Sequence, residues 1–294
     1  MIERIAGLRE TDPRQLGPFR LFGALGHGGA GTVYLGKGAP RRGARKRAAA
    51  VRAVRPELLR DRQLRARLRQ ETARVADAVD SPFVADALGC ELDSELPWAA
   101  EAFVPGVPLS VLVALYGPLP EMSVRALGGG LARGLAALDA AGTAHGDLRA
   151  SNVLLTADGP RLVDYGIALG RRPGAVGGAG FGQSARRAED VFALGTVLAL
   201  AASARHPFAG NPLPSAREGP DLAGVPDALC VPLLACLHKA PETRPTPEAL
   251  AHTLDLSGTA TRPAREWLPE SYLHEIGNRA DEARALIGRR GWGR

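Results

Sequence analysis

Lysine is almost missing from this chain. Its 37 basic residues include only Lys37, Lys46 and Lys239, so arginine carries nearly all the positive charge. A GC-rich coding sequence gives that bias without any nucleic-acid partner. Cysteine is equally sparse: Cys90, Cys230 and Cys236 are an odd count with no metal-ligand spacing, which fits buried thiols in a reducing cytoplasm. No apolar run is long enough to span a bilayer, and the longest, VFALGTVLALAA at 191–202, is too short. The first residues, MIERIAGLRETDPRQ, lack the apolar middle of a signal peptide.

With 294 residues, the chain has material for one large domain or two lobes. Charge is uneven: residues 1–80 hold 18 Lys and Arg against 8 Asp and Glu, while the whole chain nets +6. RRGARKR (41–47) could meet phosphate or an acidic partner. Compositional bias is the stronger account of it, so nucleic acid is not the expected partner.

The stretch GHGGAGTVYLG places Gly26, Gly28 and Gly31 at G-x-G-x-x-G spacing. Such a loop lets backbone pass close to phosphates. A dinucleotide fold needs the last glycine to open a helix. Here Val33, Tyr34 and Leu35 follow, so the loop joins two strands, FRLFGALG and GTVYLG, with AAAVRAV (48–54) as a third. Residues 57–79 read as a helix with Leu64, Leu68 and Val75 on one stripe and Glu71 on that same stripe, where a carboxylate needs a partner. VADALGCEL and PWAAEAFV read as two more strands, and VPGVP as a link to a helical half. There Val124, Leu127, Leu131, Leu135 and Leu138 mark a long helix, and 191–202 a buried one. The last segment, 258–294, has Leu273, Ile276, Ala280, Ala283 and Ile287 at helical spacing and is expected to pack on the body.

The glycine loop, HGDLRASN (145–152) and DYG (164–166), in that order, resemble the motifs of bacterial serine/threonine protein kinases over residues 17–256. The resemblance implies an α+β, two-lobed fold with a small, mostly β N-lobe at 17–104 and a larger, mostly α C-lobe at 105–257. An N-terminal extension (1–16) and the 258–294 tail would flank them. It implies ATP in the cleft between lobes, Mg²⁺ held by Asp164 and Asn152, and Asp147 orienting a substrate hydroxyl, with Arg149 near the transferred phosphate. Hard oxygens from a carboxylate and an amide suit Mg²⁺ alongside phosphates and water. Val33 and Ala50 would cover the adenine, Leu154 would lie beneath it, and backbone from Ala102 to Val104 would meet its edge. His145 would be structural.

Several positions depart from the pattern. The strand lysine is Arg52, whose planar fork is longer and bulkier. Glu101 falls at the back of the adenine pocket, where an unpaired carboxylate is costly. One expectation is that Arg52 bridges Glu71 and Glu101; the other is that Glu101 faces solvent through a one-residue slip. Gly146 replaces an arginine and Ala150 a proline, and residues 167–189 offer Ser184 as their only hydroxyl amino acid. The segment before Asp190 is short and lacks the Ala-Pro-Glu anchor, leaving Arg244 without its usual partner. Three readings follow: an attenuated protein kinase, a pseudokinase acting as a binding module, or a basic binding surface over residues 41–74.

Overall fold

A computed structural model describes residues 5–41, 43–165, 183–208 and 219–290. The small lobe is a six-stranded antiparallel sheet of β1 (Gln15–Leu16), β2 (Phe19–Gly28), β3 (Gly31–Gly38), β4 (Arg47–Val54), β5 (Ala87–Glu91) and β6 (Trp98–Ala102), ordered β1-β2-β3-β4-β6-β5. Alternation puts Phe19, Leu21, Val51, Trp98 and Ala100 into one core, where the Phe19 and Trp98 rings meet edge to face at 5.6 Å. Residues read as an N-terminal extension also join this lobe: Leu16, in β1, is buried in the same core, and Ala6 bridges to Ala24.

The helix expected over 57–79 is two elements. A 3₁₀ turn, Pro56–Leu59, precedes α1 (Arg62–Ala78). Asp61 causes the break, since its carboxylate accepts from the Gln63 and Leu64 peptide N–H groups (2.8 and 3.3 Å) and starts a new helix. The anticipated stripe is present: Leu68, Glu71 and Val75 are buried.

The large lobe contains α2 (Leu109–Tyr116), α3 (Glu121–Ala140), α4 (Gln183–Ser203), α5 (Asp227–Cys236), α6 (Pro247–Leu254) and α7 (Glu270–Arg290). A three-stranded sheet of β7 (Val107–Pro108), β8 (Val153–Thr156) and β9 (Gly159–Leu162) lies at its upper edge. α4 supplies the buried centre read from 191–202, sharing it with α3. Asp255, at the end of α6, caps the segment leading to α7. It accepts from the Thr259 and Ala260 peptide N–H groups and from Arg133 at 2.7 Å. Ala260, Ala264 and Trp267 are consequently buried, and α7 follows.

All three cysteines are free thiols, and burial pushes that of Cys236 up to about 12. Among the described residues no helix is long and apolar enough to cross a membrane. Part of the basic charge over 41–74 is ion-paired: Arg47 with Asp86, Arg65 and Arg69 with Asp93, and Arg67 with Glu71.

Candidate functional site

The hairpin between β2 and β3 is the upper wall of a cavity of about 480 Å³ between the lobes, a size suited to a small-molecule ligand. Two kinds of glycine build it. Gly31 has φ +137°, and a methyl group there would lie 1.8 Å from the Ala53 carbonyl oxygen, so β4 can approach only a glycine. Gly26 and Gly28 line the cavity, yet nothing lies within 4 Å of a Cβ added to either. Their missing side chains leave room that the protein itself does not use.

Val33 and Ala50 complete the roof, and Leu154 forms part of the floor. Ala102 and Val104 line the connecting side. The Ala102 N–H is taken by the Asp86 carbonyl at 2.8 Å, whereas no backbone acceptor among the described residues meets that of Val104. Gly31 and Glu71 do not line the cavity; the first shapes the hairpin and the second lies on α1.

On the floor, the loop preceding β8 carries Asp147, Arg149 and Asn152. The Asn152 amide donates to the Asp147 carbonyl (2.8 Å) and carboxylate (3.1 Å). Its amide nitrogen is thereby fixed, which leaves the amide oxygen as the atom for a cation. Arg149 lies 3.4 Å from the Asp147 carboxylate and is well exposed. α4 pins this loop, because the buried Asp190 carboxylate accepts from the peptide N–H groups of His145 (2.7 Å) and Gly146 (2.9 Å). Gly146 has φ +76°, so glycine there has a backbone reason as well as a missing cation. His145 is fully buried. Burial lowers its pKa to about 4, keeping the ring neutral, and it accepts from the Asp147 N–H at 3.4 Å.

The back wall departs from the expected bridge. In β4, Arg52 lies on the same face as Ala50, and β6 pairs Ala50 with Glu101, so alternation turns Glu101 inward rather than toward solvent. Arg52 does not join Glu71 to Glu101. Its guanidinium donates to the Asp164 carboxylate, and Glu101 accepts the Asp164 peptide N–H at 3.1 Å. Glu71 is held elsewhere, by Arg67 (2.9 Å) and by Arg186 of α4 (3.0 Å). The physical reason is competition: two other arginines already satisfy Glu71, while the long fork of Arg52 reaches across to Asp164.

Burial, together with the nearby Asp164 charge, pushes Glu101 up to about 8, against the lowering effects of the Asp164 N–H and Arg52. At neutral pH Glu101 is therefore mostly protonated beside the Arg52–Asp164 ion pair. Asp164 itself has φ +60°, one of two non-glycine residues with positive φ among those described. Such a conformation is sustained by surrounding contacts, here Glu101 on its N–H and Arg52 on its carboxylate.

The shortened segment expected before Asp190 falls partly on 166–182, which lies outside the described residues. From Gln183 the chain is already the first turn of α4, with Ser184 exposed on it. Arg244 has replacement partners: it donates to the Ala188 carbonyl at 2.8 Å and lies over the Phe192 ring at 4.8 Å. Sequence reasoning missed Arg186 as the partner of Glu71 and Asp190 as the loop's anchor. A buried acid inside the apolar run EDVFALG was the available signal for Asp190. For Arg186, 115 residues from Glu71, there was none.

The arrangement suits a nucleotide. Two empty glycine positions, an unclaimed peptide N–H and apolar walls face one cavity. Asp164 and Asn152 could each offer an oxygen to a divalent cation. Among the described residues no cluster of three or more His, Cys, Asp and Glu could hold a metal. A magnesium ion would therefore depend on phosphate oxygens and water for the rest of its shell.

Comparison with known proteins agrees with this geometry. The family described as protein tyrosine and serine/threonine kinase matches residues 19–171, just over half of the chain. Serine/threonine-protein kinase AfsK of Streptomyces coelicolor is 37% identical across 90% of this chain and 35% of its own length. AfsK of Streptomyces griseus gives 37%, 89% and 35%. PkwA of Thermomonospora curvata gives 34%, 93% and 38%. The chain thus spans little more than a third of the length of these relatives.

Proposed function

Because this chain belongs to the protein tyrosine and serine/threonine kinase family, we propose that its cleft binds ATP with Mg²⁺ and transfers the γ-phosphoryl group to a serine or threonine hydroxyl of a protein. The observation that carries this reading is convergence. Asp147 and Asn152 from one loop and Asp164 from another share a cavity whose roof is open at Gly26 and Gly28.

The adenine edge meets the Val104 N–H, its faces lie between Val33 and Ala50 above and Leu154 below, and the phosphates lie under the glycine hairpin. Asp164 and Asn152 would hold Mg²⁺, which offsets phosphate charge when bound. Asp147 accepts a hydrogen bond from the substrate hydroxyl, aims it in line and takes its proton as the oxygen attacks. Arg149 places a positive charge near the group being transferred. A cytoplasmic location belongs to this reading, and the three free thiols are compatible with it.

One observation favours a second reading, a binding module with little or no transfer. Arg52 is committed to Asp164, and Glu71 to Arg67 and Arg186, so no ion pair joins the strand cation to the helix acid. Transfer of labelled γ-phosphate to a generic acceptor protein separates the two. Asp147→Asn is expected to lower the rate about a hundredfold or more, in the range for losing a general base. Transfer absent from the wild type despite ATP binding would favour the second reading, and transfer equally fast in the variant would contradict the role given to Asp147.

A further inference from the structure

α7 belongs to both lobes. Its first turns are anchored in the large lobe: Tyr272 and Ile276 are in that core, and the Tyr272 hydroxyl donates to the Gly117 carbonyl at 2.7 Å. The Tyr116 hydroxyl donates to Glu275 at the same distance. Further along, Ala283, 2% exposed, packs with Ile5 and Leu35 of the small lobe, beside Leu25 and Phe103. The helix therefore runs past the segment that joins the lobes.

Arg279 lies between these two anchors, and it lines the cavity described above. Its side chain is only 11% exposed and donates to Glu282 at 3.2 Å, while Glu282 accepts the Ile5 N–H at 3.0 Å. The guanidinium plane is thus oriented by a carboxylate that is itself tied to the small lobe. The other acidic and arginine residues lining the cavity, Arg52, Glu101, Asp147, Arg149 and Asp164, come from β4, β6 and the segments flanking β8 and β9. Apolar lining comes from Leu25, Phe103, Val104 and Pro108, and Leu25 and Phe103 also pack against the cluster that contains Ala283, one turn further along α7.

We propose that Arg279 is a nucleotide-binding residue that donates to the ribose hydroxyls, with α7 as the outer wall of the cleft. This rests on the nucleotide reading of the cavity. A base at Val104 and phosphates beneath Gly26 and Gly28 leave the sugar between them, facing the α7 side. Ribose presents two hydroxyl acceptors there, and a guanidinium offers several N–H donors in one plane. No segment of the kinase-like motifs supplies this contact; it comes from the last helix.

Calorimetric titration of the full chain with Mg·ATP, Mg·2′,3′-dideoxy-ATP and adenine tests it. The wild type is expected to bind ATP about tenfold more tightly than the dideoxy nucleotide, the scale of a hydrogen bond to a charged donor. Arg279→Met is expected to bind the two nucleotides equally, with adenine affinity unchanged as a sign that the cleft is intact. Arg279→Lys, which keeps the charge without the fork, is expected to show a reduced preference. A preference that survives in Arg279→Met, or is absent from a wild type that binds both nucleotides, overturns this inference and leaves the cleft's nucleotide reading standing. A wild type that binds no nucleotide overturns both.

Discussion

Gly31→Ala is expected to cost about 4 kcal/mol of folding stability, combining a strained backbone conformation with overpacking against the neighbouring strand. The cause is local and severe. At φ +137° the added Cβ would sit 1.8 Å from the Ala53 carbonyl oxygen, a backbone atom that cannot move aside alone. Gly31 pairs with Val54 across β3 and β4, so relief requires the two strands to separate at the hairpin end. Gly26→Ala is the informative partner. Nothing lies within 4 Å of its new methyl, so stability is expected to change by no more than about 1 kcal/mol. That methyl points into space assigned to phosphate, and the loss should appear in ATP affinity instead. Urea denaturation and nucleotide titration of both variants check the pair; equal stability losses would contradict the division of roles.

Arg52→Met is expected to destabilise the protein by about 2–3 kcal/mol near neutral pH. Breaking a buried ion pair costs about 3–5 kcal/mol when the stranded charge is fully buried, and the Asp164 side chain, 28% exposed, recovers part through solvent. The pH dependence follows from Glu101. Its carboxyl titrates near 8 in the folded protein, against an ordinary value of 4.5. The folded state thus binds the proton more tightly than the unfolded chain does. The stability this supplies is complete below about pH 4.5 and is lost as pH rises to about 8. Removing Arg52 withdraws a charge that favours ionised Glu101, so the variant continues to lose stability above pH 8, where the wild type has levelled off. Glu101→Gln is expected to flatten the decline between pH 4.5 and 8 and to stabilise the protein at pH 8 by about 1–2 kcal/mol. Denaturation curves at pH 5, 7 and 9 decide this, and parallel pH profiles for all three proteins would contradict it.

Local patterns carried much of the fold. Period-two alternation located the strands, and β-branched residues after Gly31 distinguished a hairpin from a helix N-terminus. Spacing alone placed Asp147 and Asn152 on one loop, and their side chains are in contact. What failed involved pairing over long distances in sequence. Arg52 had three carboxylates to choose from, and nothing local says that Asp164, 112 residues on, wins over Glu71. The choice depends on Arg186, which arrives from α4 and occupies Glu71 first. Glu101 was legible to within two alternatives, and the register with Ala50 decides between them. For α7 the helical period gave the right apolar phase, since Ile276 and Ala283 are buried, but not its destination against both lobes. Amphipathicity shows that a helix has a face to bury and leaves open what covers it.

Metal-dependent binding of ATP to this cleft is the central claim, and thermal unfolding of the wild type and Asp164→Asn, with ATP alone and with ATP plus Mg²⁺, tests it most directly. A ligand that binds only the folded state adds about 2.7 kcal/mol at a hundredfold excess over its dissociation constant. The wild type is expected to unfold at a higher temperature with ATP and higher still with Mg²⁺, and the Mg²⁺ increment is expected to vanish in Asp164→Asn. An unchanged midpoint for folded wild-type protein at millimolar Mg·ATP, or an increment that persists in Asp164→Asn, would contradict the account.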